Sequence, residues 1–389
     1  MTNPSLTHEL KTEASRQGFD LAGVCPAVTP EGIDRFGQWI AAGYAGEMSY
    51  LTARTEAYTH PRHVLDGARS ILMLAMNYRT DEPEVPRPGD GRISRYAWGT
   101  DYHELIRDRL NALAGFLQGR SPKALVRTVV DTAPLLEREF AQLAGLGWIG
   151  KNTLLLNKQN GSWFFLAALL TDLELEYDRP HATDHCGTCT ACLDACPTDA
   201  FVDAYVLDAR KCISYLTIEV RGAVPRDLRP GIGDWLFGCD ICQEVCPWNH
   251  RAPMTPEPDF KPLSGMTSLD LIELFALDEN EFRAKFRHTP LWRSKRRGLL
   301  RNAAVVLGNQ RPPAAVSVLI QGLNDDESLV RGASAWALGR YDQEGPRSAL
   351  KARLERETDR DVRAEIEAAL AYAAAGSWQS CKSPPSGSG

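Results

Sequence analysis

Eight of the ten cysteines in this 389-residue chain lie between Cys186 and Cys246. The first run is Cys186-x2-Cys189-x2-Cys192-x3-Cys196-Pro197, the second is Cys239-x2-Cys242-x3-Cys246-Pro247, and Cys212 stands between them. A run of this spacing that ends in a cysteine–proline step suits a 4Fe–4S cubane. Two-residue gaps let three thiolates converge from one tight loop, and the cysteine after the three-residue gap points towards a second cluster. The expected ligand sets are therefore Cys186, Cys189, Cys192 and Cys246 for one cluster, and Cys196, Cys212, Cys239 and Cys242 for the other. The rival reading, a zinc ribbon, uses two cysteine pairs farther apart, without a third close cysteine. Two cubanes would pass single electrons through the protein without saying where they go.

A candidate for the receiving end is Asp131, in Val129-Val130-Asp131-Thr132-Ala133-Pro134. A buried strand is expected to end at Val130, and Pro134 suits the first turn of a following helix. That puts Asp131 at the carboxyl end of a strand, where open α/β sheets place active sites. A partly desolvated carboxyl there could keep its proton at neutral pH and serve as a general acid. The plainer alternative is a helix cap. Further on, Ala144-Gly145-Leu146-Gly147-Trp148-Ile149-Gly150-Lys151 holds three glycines in six residues. These permit close backbone approach to a large ligand, or simply end a helix at Gly145. The order matches neither a phosphate loop nor a dinucleotide fingerprint.

The elements that must hold these groups have three textures. Residues 1–178 interleave helical patterns (Leu6–Gln17, Tyr102–Gln118) with apolar runs read as strands (Ser70–Met76, Ala124–Val130). Together they predict a layered α/β domain within an α+β multidomain chain. Residues 179–264 hold the cysteines and few long periodic stretches, so their core is expected to be partly inorganic. Residues 265–376 read as helices in which Leu307-Gly308 and Leu338-Gly339 recur, each closing an alanine-rich helix, with a third helix over residues 361–375. Such a period predicts paired helices like HEAT repeats, against an ordinary helical bundle. Residues 377–389 read as a disordered tail. Cys25 reads as a buried apolar residue and Cys381 as part of that tail.

Several long motifs together resemble the epoxyqueuosine reductase family. They are Ser94-Arg95-Tyr96-Ala97-Trp98-Gly99-Thr100-Asp101-Tyr102-His103, the Asp131 and Gly147 segments, Lys211-Cys212-Ile213-Ser214-Tyr215, Phe237-Gly238-Cys239-Asp240-Ile241-Cys242 and Leu300-Arg301-Asn302-Ala303-Ala304. The resemblance implies a nitroreductase-like cobalamin-binding domain, a ferredoxin-like double-cluster domain and a helical-repeat domain. It implies reduction of epoxyqueuosine to queuosine at the wobble position of tRNA, with electrons relayed through two 4Fe–4S clusters to cobalamin. It implies Asp131 as the proton donor. It also implies cobalamin contacts at Arg54, Ser94, Tyr96, Asp131, Lys151, Asn152, Ser214 and Asp240. Asp101-Tyr102-His103-Glu104-Leu105-Ile106 lacks the glycine of an Asp-x-His-x-x-Gly cobalamin motif. A base-off cofactor without a histidine lower ligand is therefore expected, fed by a low-potential donor of the flavodoxin or ferredoxin type.

The net charge is −6 with 43% hydrophobic residues, so wholesale disorder and a surface basic throughout are excluded. Yet residues 283–301 carry Arg283, Lys285, Arg287, Arg293, Lys295, Arg296, Arg297 and Arg301 and no acid. A basic stripe of this kind on helical repeats suits a phosphate backbone, and Arg293, Lys295, Arg296, Arg297 and Arg301 are the expected tRNA contacts; the alternative is a solvated helix face. A small-molecule dehalogenase would have no use for the stripe, and an electron carrier would leave the first domain without a task. The longest apolar run, residues 163–170, falls short of the roughly 20 residues that cross a bilayer. A soluble, cytoplasmic, monomeric enzyme is expected.

Overall fold

The computed structural model describes residues 4–374; the predicted tail with Cys381 lies outside them. A four-stranded sheet runs in the order Leu21–Pro26, Ser70–Asn77, Phe164–Thr171, Val126–Val129, and every neighbouring pair is antiparallel. The segment Ser70–Asn77 is apolar without alternation because both of its faces are covered. Leu72, Leu74 and Met76 pack under the helices Pro4–Arg16 and Tyr102–Arg120, alongside Leu10, Ile106, Leu110 and Leu113. Ile71, Met73 and Ala75 face the other way, against Phe140 and Ala141 of the helix Glu137–Leu143. Burying each such aliphatic side chain contributes about 2 kcal/mol. The expected strand–helix layering is present, but the antiparallel pairing means that the strand-end rule of parallel sheets does not explain the position of Asp131.

A second sheet joins the regions. Its central strand Asp90–Ile93 pairs in parallel with Trp235–Phe237 from the cysteine region and antiparallel with Ser268–Asp270 from the start of the helical region. One apolar core continues from Ile93 through Phe237 and Leu299 to Ile366. The cysteine segment is thereby fixed to both of its neighbours.

The C-terminal helices Lys295–Gln310, Val316–Gly322, Ser328–Leu338, Glu344–Arg356 and Arg360–Ala374 stack in pairs. The recurring glycines have a packing reason. A side chain on Gly308 would strike Trp336 and Ala337, and one on Gly339 would strike Ala369. Each glycine marks a close crossing of alternate helices, Lys295–Gln310 on Ser328–Leu338 and Ser328–Leu338 on Arg360–Ala374. Gly308 lies inside its helix, which runs on to Gln310, rather than closing it. Among the described residues, no helix is long and apolar enough to cross a membrane.

Candidate active site

Asp101 caps the helix Tyr102–Arg120, its carboxylate accepting the His103 backbone N–H. This cap sets Tyr102 and His103 on the first turn, facing Asp131. Tyr102 Oη donates to Asp131 Oδ2 at 2.7 Å, and His103 Nε2 lies 3.4 Å from the same oxygen. His103 Nδ1 is 2.8 Å from Asp101 Oδ1. Arg293 arrives from the helical region; its Nη2 is 2.7 and 2.8 Å from the two imidazole nitrogens, and its Nη1 is 3.9 Å from Asp131. The helix after Asp131 begins at Glu137, so Pro134 precedes it rather than opening it. Asp131 takes φ 58°, a left-handed conformation costing a non-glycine residue about 1 kcal/mol. Its N–H donates to Glu137 Oε1 at 3.2 Å. The strained turn turns the carboxylate, half exposed, towards the helix.

The charge state differs from the sequence expectation. Burial would raise the Asp131 carboxyl, but the hydrogen bonds from His103 and Tyr102, with the nearby Arg293 charge, outweigh it and hold the group below its ordinary value. Burial would lower His103, yet its bonds to Asp101 and Asp131 raise it. Asp131 is therefore held towards its anion, and His103 towards its protonated form, rather than Asp131 resting as a carboxylic acid. The neighbour that holds a proton is Glu137, pushed up to about 8 by burial and by the Asp131 charge. Tyr102, His103, Arg293 and Glu137 were not singled out as partners of Asp131 from sequence. The 27 residues between His103 and Asp131 hide their meeting.

One wall of this cleft leads to the cysteines. The Tyr96 and Tyr102 rings meet edge-on at 6.2 Å, and Tyr96 also meets Phe237. Gly238 (φ 70°) has no room for a side chain against Ser94. Asp240 is buried, accepting from Ser94 Oγ at 2.5 Å and from Arg95 N at 2.8 Å. Burial pushes its carboxyl up to about 6. Ser214 lies on the short helix Ile213–Ile218 that follows Cys212. Ser94, Tyr96 and Asp240 thus come together. Arg54 is exposed and donates to Thr132 O at 3.4 Å, beside Asp131. Lys151 and Asn152 are placed differently: Lys151 Nζ donates to the carbonyls of Gly187 (2.7 Å) and Cys189 (3.0 Å), and buried Asn152 reaches Cys242 O at 3.4 Å. Both brace cysteine loops.

The thiols influence one another through space. Cys192 and Cys246 feel the charges of Cys186 and Cys189. Cys239 and Cys242 feel Cys212, and Cys242 also feels Cys196 and, across the gap, Cys192. Burial raises the thiols of Cys192, Cys212, Cys239, Cys242 and Cys246. Backbone N–H groups point at several sulfurs, including Ala200 N at 3.4 Å from Cys196 Sγ. Among the described residues, no three side chains close tightly enough around a point for a single metal ion.

The basic stripe divides. Arg301 is buried and spends its guanidinium on the carbonyls of Leu216, Val220 and Gly222 and on Asn302, so it cannot meet a phosphate. Arg293 belongs to the cleft. Arg296 pairs with Asp325 at 3.0 Å. Lys295 and Arg297 remain exposed, Arg297 only loosely bridged to Glu327 at 3.9 Å. The acids missing from the stripe are thus supplied by the next repeat.

Three family models match the chain: a 4Fe–4S double cluster binding domain over residues 185–249, Epoxyqueuosine reductase QueG, DUF1730 over residues 59–132, and HEAT repeats over residues 292–371. The epoxyqueuosine reductase of Pseudomonas aeruginosa is 42% identical over 341 residues, spanning 86% of this chain and 94% of that one. The Escherichia coli enzyme is 38% identical, spanning 86% and 89%. A crystal structure of epoxyqueuosine reductase with an epoxyqueuosine-modified tRNA-Tyr stem loop superposes with a TM-score of 0.89 at 32% identity, covering 95% of this chain and 99% of that chain. The Bacillus subtilis enzyme, with its catalytic aspartate loop swung out of the active site, gives 0.88 at 32% identity, covering 94% and 98%. With this cleft, this cysteine array and this likeness along nearly its whole length, the chain belongs to the epoxyqueuosine reductase family.

Proposed function

We propose that this chain reduces epoxyqueuosine to queuosine within tRNA, with Asp131 at the reacting centre. The reaction consumes two electrons and two protons: an epoxide becomes an alkene and its oxygen leaves as water. The observation that carries the reading is the continuous wall from the Cys239–Cys242 loop through Asp240, Ser94, Tyr96 and Tyr102 to Asp131. It supports a reading in which electrons and protons meet at one cleft.

The residues fit cobalamin by the chemistry of their donors. Tyr96 and Ser214 offer hydroxyls that can bond the amide side chains of a corrin, beside an aromatic face, and the buried Ser94–Asp240 pair holds the wall behind them. Both ring nitrogens of His103 are engaged by Asp101, Asp131 and Arg293, which keeps this imidazole on the proton route. Cobalamin, when bound, supplies a cobalt centre that gathers electrons from the adjacent cluster. The clusters would take Cys186, Cys189, Cys192 and Cys246 for the outer one, and Cys196, Cys212, Cys239 and Cys242 for the inner.

The chain's own contribution is the proton. Substrate filling the cleft expels water, which favours the neutral form of a carboxyl. The His103 proton can then pass to Asp131 and on to the departing oxygen, with Tyr102 fixing the carboxylate orientation and Glu137 holding a further proton beside it. Lys295 and Arg297 would hold the tRNA backbone, and a reduced flavodoxin or ferredoxin would feed the outer cluster of a cytoplasmic monomer.

The test is anaerobic assembly with iron, sulfide and cobalamin, followed by reaction with tRNA carrying epoxyqueuosine and a chemical reductant. Nucleoside mass spectrometry should show loss of one oxygen atom from the modified base. An unchanged nucleoside, with both clusters and cobalamin loaded, overturns the reading.

A further inference from the structure

Trp148 is 1% exposed, and among the described residues its indole Nε1 has no hydrogen-bond partner. A buried N–H left unmet is costly, and the surrounding fold holds the ring there firmly. Gly147 has no space for a side chain against the Leu156 carbonyl. Trp148 pairs with Leu156 across a two-stranded ribbon, and Asn157 Nδ2 ties down the Leu146 carbonyl at 2.7 Å. Trp248 and His185 meet the indole edge-on at 5.2 and 4.7 Å, and His181 stacks on it at 5.6 Å. The two histidines turn Nε2 towards Thr183 Oγ1, at 3.4 and 2.9 Å, instead of accepting from the indole. The remaining members of this apolar cluster include Cys246 and Cys186. Both belong to the outer quartet.

We propose that Trp148 Nε1–H donates to a sulfur of the outer cluster and raises its reduction potential. The inference rests on the ligand assignment proposed above. A reduced cluster carries one more negative charge than the oxidised one. An N–H dipole aimed at its sulfur stabilises the reduced state more, and hydrogen bonds to sulfur are among the groups that set these potentials. Trp148 is then a tuning residue: it touches neither substrate nor the reacting atoms, but makes the outer cluster easier to fill from a donor. The inner quartet lies outside this aromatic cluster, so the effect falls on one cluster only.

The test is potentiometric EPR titration of the full chain, anaerobically loaded with both clusters, against Trp148→Phe. In the variant, reduction of one cluster should become up to about tenfold less favourable, equivalent to about 59 mV for one electron. The other cluster should not move. One exchangeable-proton hyperfine coupling of the native protein should be missing from the variant, while those of the backbone N–H groups remain. Identical potentials in the two proteins, or equal movement of both clusters, overturns the proposal. To separate the lost N–H from lost ring volume, Trp148 is also replaced by benzothienylalanine, which keeps the bicyclic shape and has sulfur in place of N–H. It should reproduce the shift, and a native potential there overturns the proposal. Iron and sulfide content reports on the ligand assignment separately. Fewer than two cubanes in the unaltered chain defeats the assignment, whereas two cubanes with unmoved potentials defeats the Trp148 role alone.

Discussion

The two cysteine quartets share their ligand chemistry and differ in their surroundings. Cys189 is exposed, as are Gly187, Thr188 and Thr190 around it. The inner loop is walled by buried Leu236, Phe237, Gly238, Asp240 and Gln243, and continues into the wall of the Asp131 cleft. Spacing decides which thiols can share a cluster; the environment decides which cluster meets solvent and which meets the chemistry. In the proposed reading the outer one takes up electrons and the inner one hands them on.

The largest effects should come from the inner side. Cys242→Ser should abolish the inner cluster and with it all detectable epoxyqueuosine reduction, while the outer EPR signal persists. Cys189→Ser should instead keep the inner signal and some reduction when a small chemical reductant replaces a protein donor. Equal loss in both variants would erase the distinction between the quartets.

Next comes the proton route at the end of the inner path. Asp131→Asn should retain both clusters and lower turnover by about 10²–10⁴-fold. His103 is raised above its ordinary 6.5 and Asp131 is held below its ordinary 3.8. The charged pair therefore persists between those limits, and kcat/KM should decline as pH rises through the elevated His103 value. His103→Gln should remove that alkaline limb. A pH profile indifferent to the substitution would separate His103 from proton supply.

A smaller effect concerns the scaffold away from both quartets. Glu357 is buried, pairing with Arg331 and Arg353 at 2.9 and 2.5 Å. Burial would raise it, but these bonds bring it down to about 2. A depressed carboxyl contributes stability present above the unfolded value, near 4.5, and lost as pH falls towards about 2. Glu357→Gln should destabilise the repeats by about 3 kcal/mol at pH 7, because two arginines lose their partner. Differential scanning calorimetry should show this together with a weaker dependence on pH between those values, the cluster spectra staying unchanged.

The smallest effect is at the surface. Converting both Lys295 and Arg297 to Gln should weaken tRNA binding and reduce the slope of log affinity against log salt by about 2. An unaltered slope would assign these charges to solvent.

Some features were legible because they are local. The cysteine spacings and the apolar run over 70–76 depend on neighbours a few positions away. The glycine recurrence at 308 and 339 was visible as a pattern, but its reason, helix crossings at Trp336 and Ala369, needed the packing. The basic stripe misled in part. Arg301 and Arg293 look alike in sequence, yet one satisfies buried carbonyls and the other leans on His103.

By itself the sequence determined the ligand chemistry of the cysteines, the helix and strand periodicities and the family. Only the tertiary structure decided that Asp131 is held towards its anion, that Glu137 rather than Asp131 holds a proton at rest, and that an indole N–H lies unmet beside the outer thiols. Protonation states and unpaired donors depend on groups brought close from distant parts of the chain. Electrostatic and hydrogen-bond energies follow distance in space, which spacing along the chain does not encode.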